Sequence, residues 1–168
     1  MDNASTSRRA LLAGAAATLA LAGCGFQLRR APDFAFKSLA VPGKSAFVNS
    51  LRRQFRAAGN VELVPEEEMG RAEAILEVLS ENRGTAVLST NSAGQVRELQ
   101  LRLTMRIRLR TPAGKELLPP TVIEQFRDIT YNETAALAKE GETELLYRDM
   151  QSDIAQQTLR RLAAVKTL

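Results

Sequence analysis

Between residues 98 and 110 the chain alternates without exception. Leu99, Leu101, Leu103, Met105, Ile107 and Leu109 are separated by Gln100, Arg102, Thr104, Arg106 and Arg108, with Glu98 and Arg110 at the ends. Successive side chains of a strand point to opposite faces, so a period of two gives this segment one dry face and one wet face. A helix would scatter the same apolar residues around its whole circumference. A half-wet strand belongs to a sheet covered on one side only, which is the habit of antiparallel sheets.

The neighbouring segments fit such a sheet. Residues 91–94 (Asn-Ser-Ala-Gly) and 112–115 (Pro-Ala-Gly-Lys) read as turns, and connections this short require antiparallel neighbours. Residues 74–79 and 85–90 have strand composition, with Gly84 marking a bulge or bend between them. Residues 122–131 read as a further strand after Pro119-Pro120, and residues 36–41 as a short first strand. Residues 61–64 suit at most a brief extended piece. The carboxylates of Glu66, Glu67 and Glu68 suit either a helical first turn or a solvated loop.

Two segments have helical spacing. Ser45 is a plausible N-cap for a helix with Val48, Leu51, Phe55 and Ala58 on one face, Arg52, Arg53 and Arg56 on the other, and Gly59 as its stop. From about residue 142 to 164, Leu146, Met150, Ile154, Thr158 and Leu162 make a second stripe. The expected architecture is α+β, with two helices packed on one face of a four-stranded, mostly antiparallel sheet and the opposite face left polar.

The N-terminal residues stand outside this fold. Arg8-Arg9, an apolar run over residues 10–21 and small residues at its end have the three parts of an export signal. The run is shorter than the ~20 residues of a bilayer-crossing helix. Leu21-Ala22-Gly23-Cys24 resembles the lipobox of bacterial lipoproteins, in which the thiol is acylated and the chain is cut before it. Cys24 is the only cysteine. The alternative is a secreted protein with a chance Cys near an ordinary cleavage site. Residues 7–12 also look like a twin-arginine signal, although two arginines equally make an ordinary basic segment. The organisation is therefore a signal peptide over residues 1–23, a lipidated tether over residues 24–34 and one domain over residues 35–168. Gly25 rather than Asp after the cysteine implies, by the sorting rule of that class, passage to the outer membrane.

Composition removes most enzyme readings. There is no histidine, so zinc sites and histidine-based catalytic sets lose their usual residues. No glycine-rich phosphate loop occurs, and the runs Glu66-Glu67-Glu68 and Glu140, Glu142, Glu144 are the ordinary stuff of solvated faces. The expectation is no catalysis, no metal and no cofactor. With six Phe, two Tyr and no Trp, base-stacking surfaces are poorly supplied, which speaks against nucleic acid. The net charge of +4 favours an anionic partner.

The wet face of the alternating strand is where such a partner can be met. Arg102, Arg106, Arg108 and Arg110 line it as a row of guanidinium groups, the side chain best suited to phosphate and carboxylate. In a bacterial envelope the abundant phosphorylated polyanion is lipopolysaccharide. The competing reading is that exposed arginines only keep the sheet soluble and unpaired at its edge.

With these pieces in order, the chain resembles the lipopolysaccharide-assembly lipoprotein family, LptE, also called rare lipoprotein B. The resemblance rests on Cys24-Gly25-Phe26-Gln27-Leu28-Arg29, on Gly94-Gln95 leading to Glu98 and Gln100, on Phe126-Arg127 and Ala136-Leu137-Ala138-Lys139, and on Gln157, Leu159, Arg160, Arg161 and Leu162. It implies a lipoprotein held at the periplasmic side of the outer membrane through Cys24. Such a protein sits within a large β-barrel translocon, LptD, supports its assembly and binds lipopolysaccharide. It also implies that Lys139, in the segment before the last helix, is a lipopolysaccharide-binding cation. Ser92 and Asp153 stand where other members carry arginine, and Arg97 is a candidate substitute at the turn. The alternative function is a structural outer-membrane lipoprotein that braces another envelope complex.

Overall fold

The computed structural model describes residues 32–132 and 136–168, and every element below belongs to the unit Ala31–Leu168. The leader, Cys24 and most of the tether lie outside the described residues.

The alternating segment is a strand, β4, spanning Val96–Arg110. Leu101, Leu103, Met105, Ile107 and Leu109 are fully buried, whereas Arg102 and Arg106 are exposed. Five buried side chains of this size contribute about 1.5–3 kcal/mol each, which makes this strand the spine of the core. It pairs antiparallel with β3, Ala74–Thr90, on one side and β5, Glu116–Thr130, on the other. Both connections are the expected tight turns. At the first, the Asn91 carboxamide oxygen accepts from the Ala93 and Gln95 amides at 3.0 and 2.9 Å, and Gly94 takes a positive φ of 80° that a side chain would resist.

The sheet has five strands, not four. Besides β1, Ser38–Ala40, it includes β2, Glu62–Val64, in the order β2-β1-β3-β4-β5. β2 is the brief extended piece expected over residues 61–64, but its three residues are too few to establish a period and so to count as a strand of the sheet. β1 runs parallel to both β2 and β3. The helix between β1 and β2 acts as a crossover, which is the connection parallel neighbours need. The sheet is therefore mixed, although its long pairings are antiparallel.

Residues 74–90 form one continuous strand, and the bend expected at Gly84 is absent: Gly84 pairs in register with Arg102. The irregularities fall at Leu79 and Leu88, each an extra residue in β3 opposite β4, and at Arg97, an extra residue in β4. An inserted residue reverses which side chains face the core. Leu76 and Val78 face it before Leu79, and Glu81, Arg83, Thr85 and Val87 take that side afterwards, opposite Met105, Leu103, Leu101 and Leu99. Leu79 and Leu88 are left 41% and 46% exposed. β5 likewise starts six residues before the expected Val122 and runs through Pro119-Pro120. A sheet edge with a register shift tolerates residues that lack an amide hydrogen.

Helix α1, Ala46–Ala58, has the predicted caps. Ser45 Oγ accepts from the Val48 amide at 3.1 Å, and Gly59 closes the helix in the left-handed conformation. It buries Phe47, Val48, Leu51 and Phe55. Helix α2, Ala136–Ala163, buries Tyr147, Met150, Gln151, Ile154, Ala155, Thr158, Leu159 and Leu162. It begins six residues earlier than the apolar stripe indicated, so Lys139 lies inside the helix rather than before it. Alanine-rich sequence favours that start, and Gly141 disguised it. Both helices join the dry face of the sheet in one apolar cluster. The other face is polar apart from the exposed Val122 and Phe126 of β5 and one corner, where Ala40, Ala72 and Ile75 form a small second cluster with Val64.

Candidate functional site

Four arginines do line the wet face of β4, but they are not four free cations. β3 places Glu77 directly opposite Arg108. One carboxylate oxygen of Glu77 accepts from Arg108 Nε and Nη2 at 2.8 and 2.6 Å. The other accepts from Arg110 Nε at 2.9 Å, with Arg110 Nη2 at 2.8 Å. Burial pushes the Glu77 carboxyl up, but the hydrogen bonds and charges of Arg110 and Arg108 outweigh it and hold it below the ordinary carboxylate range. Glu116 lies a further 3.9 Å from Arg108. This end of the row is a paired, partly buried cluster.

The other two arginines remain available. Arg102 donates to the Gln100 side chain at 2.9 Å, and its guanidinium lies 5.8 Å from the ring centroid of Phe126, its neighbour across β5. Arg106 faces Val122 and makes no ion pair or side-chain hydrogen bond among the described residues. Phe126 and Val122 are 45% and 48% exposed. The wet face is thus a two-cation surface with two apolar side chains.

Lys139 is on the opposite side of the sheet. It lies at the rim of a cleft of about 280 Å³ between the start of α2 and the dry side of β3, β4 and β5. Leu99, Leu101, Ile129, Tyr131 and Tyr147 supply its apolar lining. Lys139 Nζ is 2.6 Å from Glu142, one turn along the helix. A second cation shares the cleft: Arg83, which the bulge at Leu79 turned to this side. Its Nη1 is 2.8 Å from Glu144, and its guanidinium stacks 4.7 Å from the Tyr147 ring centroid. Tyr147 is fixed in turn, its hydroxyl donating to the Gly84 carbonyl at 2.9 Å. The hydrogen bond from Arg83 is the main reason the Glu144 carboxyl lies below its usual range.

The structure therefore separates Lys139 from Arg102, Arg106, Arg108 and Arg110. Sequence reasoning missed Arg83, Tyr147 and Glu77, and read Glu144, the partner of Arg83, only as part of a solvated face. Glu77 was legible as a lone acid inside an apolar strand segment. Arg83 was not, because its side depends on the bulge. Asp153, where arginine was expected, is paired at 2.6 Å with Arg127 of β5. Arg97 lies at the hairpin end, apart from Lys139, among the residues of another cleft with Asn91, Gln95 and Tyr131. Among the described residues no group of acids or cysteines could hold a metal ion, and no helix is long and apolar enough to cross a membrane.

A mixed sheet with two helices on its dry side, a cationic wet side and an apolar cleft under the last helix defines a small two-layer α+β domain. The comparisons with known proteins are more specific. The model of the lipopolysaccharide-assembly family LptE matches residues 33–162, and the chain belongs to that family. An LPS-assembly lipoprotein LptE of Pectobacterium atrosepticum is 29% identical over 154 residues, covering 89% of this chain and 82% of the relative. The protein of the same name from Yersinia enterocolitica is 32% identical, over 89% of this chain and 72% of its own. The solution structure of an uncharacterized lipoprotein B from Nitrosomonas europaea superposes with a TM-score of 0.71 at 29% identity, covering 83% of this chain and 91% of that one.

Proposed function

We propose that this protein is an outer-membrane lipoprotein, anchored at the periplasmic side by acylation of Cys24, that occupies and supports a β-barrel lipopolysaccharide translocon (LptD) and binds lipopolysaccharide in transit. Residues 1–23 are its signal peptide, residues 24–34 its tether and residues 35–168 its working domain. The role is assembly and binding, not catalysis. Family membership supports the pathway. The observation that carries the binding role is Lys139 at the rim of an apolar cleft. A glycolipid with phosphates beside acyl chains needs a cation and an apolar surface side by side, and here both are in place.

The candidate lipid-binding residues then divide. Lys139 belongs to the cleft. Arg102 and Arg106 offer the polyanion a second surface, while Arg108 and Arg110 are engaged by Glu77 and contribute less. The test uses the tagged full chain extracted from membranes in mild detergent. A large β-barrel protein should co-purify, and labelled lipopolysaccharide should be retained less well by Lys139→Glu than by wild type. Added salt should also weaken retention, since exposed charge pairs are screened over ~8 Å at physiological ionic strength. Failure to capture either barrel or glycolipid refutes the proposal and favours a brace for another envelope complex.

A further inference from the structure

The cleft under α2 holds more than the expected lysine, and its internal pairing suggests how it takes a ligand. Both cations at its rim are held by carboxylates of α2: Lys139 by Glu142 and Arg83 by Glu144. The carboxylates are about half exposed, and exposed pairs of this kind contribute little. A phosphate, by contrast, can take a guanidinium in two parallel hydrogen bonds. Glu144 would not be stranded by the exchange, because Arg148 Nε lies 3.5 Å from its other oxygen. Arg83 is meanwhile kept aimed by the Tyr147 ring, itself pinned to Gly84. The space behind these groups is mostly apolar and, at about 280 Å³, lies just below the ~300–1,000 Å³ typical of ligand sites. It has room for one hydrocarbon chain, not for a whole glycolipid.

We infer that this cleft binds a single acyl chain of a phosphorylated amphiphile, with Arg83 exchanging Glu144 for the phosphate. Arg83 is thereby a ligand-binding residue distinct from Lys139. The inference rests on the proposed binding role and narrows it to one chain and one head group.

The two tyrosines of the chain, Tyr131 and Tyr147, both line the cleft and there is no tryptophan, so intrinsic emission reports on this site. The full chain in neutral maltoside detergent is titrated with octyl phosphate, octyl glucoside and inorganic phosphate. Octyl phosphate should change tyrosine emission saturably, and the neutral chain and the bare ion should do so at least tenfold more weakly. Arg83→Ala should weaken octyl phosphate about tenfold, or ~1.4 kcal/mol. Glu144→Gln, which removes the internal competitor without touching the cation, should tighten it. Arg83→Lys keeps the charge but loses the fork, and should fall between wild type and Arg83→Ala. Equal responses to octyl glucoside or inorganic phosphate overturn the inference, as does unchanged binding in both Arg83→Ala and Glu144→Gln. If these arms fail while lipopolysaccharide and barrel are still captured, the single-chain site is wrong and the proposed function stands. If wild type captures neither, the proposed function itself fails.

Discussion

Glu77 is the residue whose loss should most clearly separate the structural from the available cations, and Glu77→Gln is the informative change. The carboxylate accepts from both Arg108 and Arg110, and its side chain is only 19% exposed. A hydrogen bond to a charged group contributes about 1.5–3 kcal/mol. Here that is reduced by desolvation of the acid and by the partial exposure of Arg108 and Arg110, 33% and 22%. The expected net loss is about 1–2 kcal/mol at pH 7, a fair part of the ~5–15 kcal/mol of a typical domain. The sign of its pH dependence follows from the direction of the shift. The folded-state carboxyl is depressed, so its stabilisation is fully present above the ordinary carboxylate value of 4.5 and is lost as pH falls through the lower folded value. Urea unfolding of wild type and variant should therefore differ most at pH 6–7 and converge at the acid end. Added salt should narrow the gap by screening the two arginines left without their acid. A variant as stable as wild type at neutral pH, or a gap that widens on acidification, would show that the Glu77 cluster does not hold these strands together.

Three further outcomes are expected. Leu103, fully buried on β4, should not tolerate Asp: an unpaired buried charge costs several kcal/mol, so Leu103→Asp should unfold the domain by circular dichroism while Arg106→Glu, on the wet face, leaves its melting temperature within a few degrees. Gly94→Val should lower stability by roughly 1–2 kcal/mol in urea titrations through its positive φ alone, since the space around it is open; an unchanged midpoint would mean that the turn relaxes freely. Cys24→Ala should yield a precursor that is neither acylated nor retained in membranes, and mass spectrometry of the mature N-terminus decides it, an unmodified Cys24 in membrane-derived protein being the contrary result.

Periodicity made β4 and α1 legible because each carries a complete local pattern: five buried residues at spacing two, and an apolar stripe between Ser45 and Gly59. It failed where the pattern depends on a partner. β2 is three residues long and exists only because β1 offers it an edge. The bulge at Leu79 cannot be read locally, because apolar residues occupy both phases of the strand there: Ala74, Leu76 and Val78 in one, Ile75 and Leu79 in the other. Gly84 attracted the bend because glycine weakens strands, yet it pairs regularly with Arg102 and lends its carbonyl to Tyr147.

The same bulge governs how much of the site the sequence disclosed. Without it, uninterrupted alternation from Leu76 would place Ser80, Asn82 and Gly84 on the dry side and Arg83 among the cations of the wet face. With it, Arg83 comes to the helix side near Lys139, and a cation drawn from β3 meets one drawn from α2 across an apolar cleft. The row of arginines on β4 drew attention because four like residues at even spacing are conspicuous, but even spacing says nothing about what lies on the neighbouring strand. There, Glu77 engages half of the row. Cationic character in this domain is thus set by cross-strand register: the pairing that ties Arg108 and Arg110 to Glu77 leaves Arg102 and Arg106 open, and the one-residue insertion that follows assigns Arg83 to the side with hydrocarbon around it.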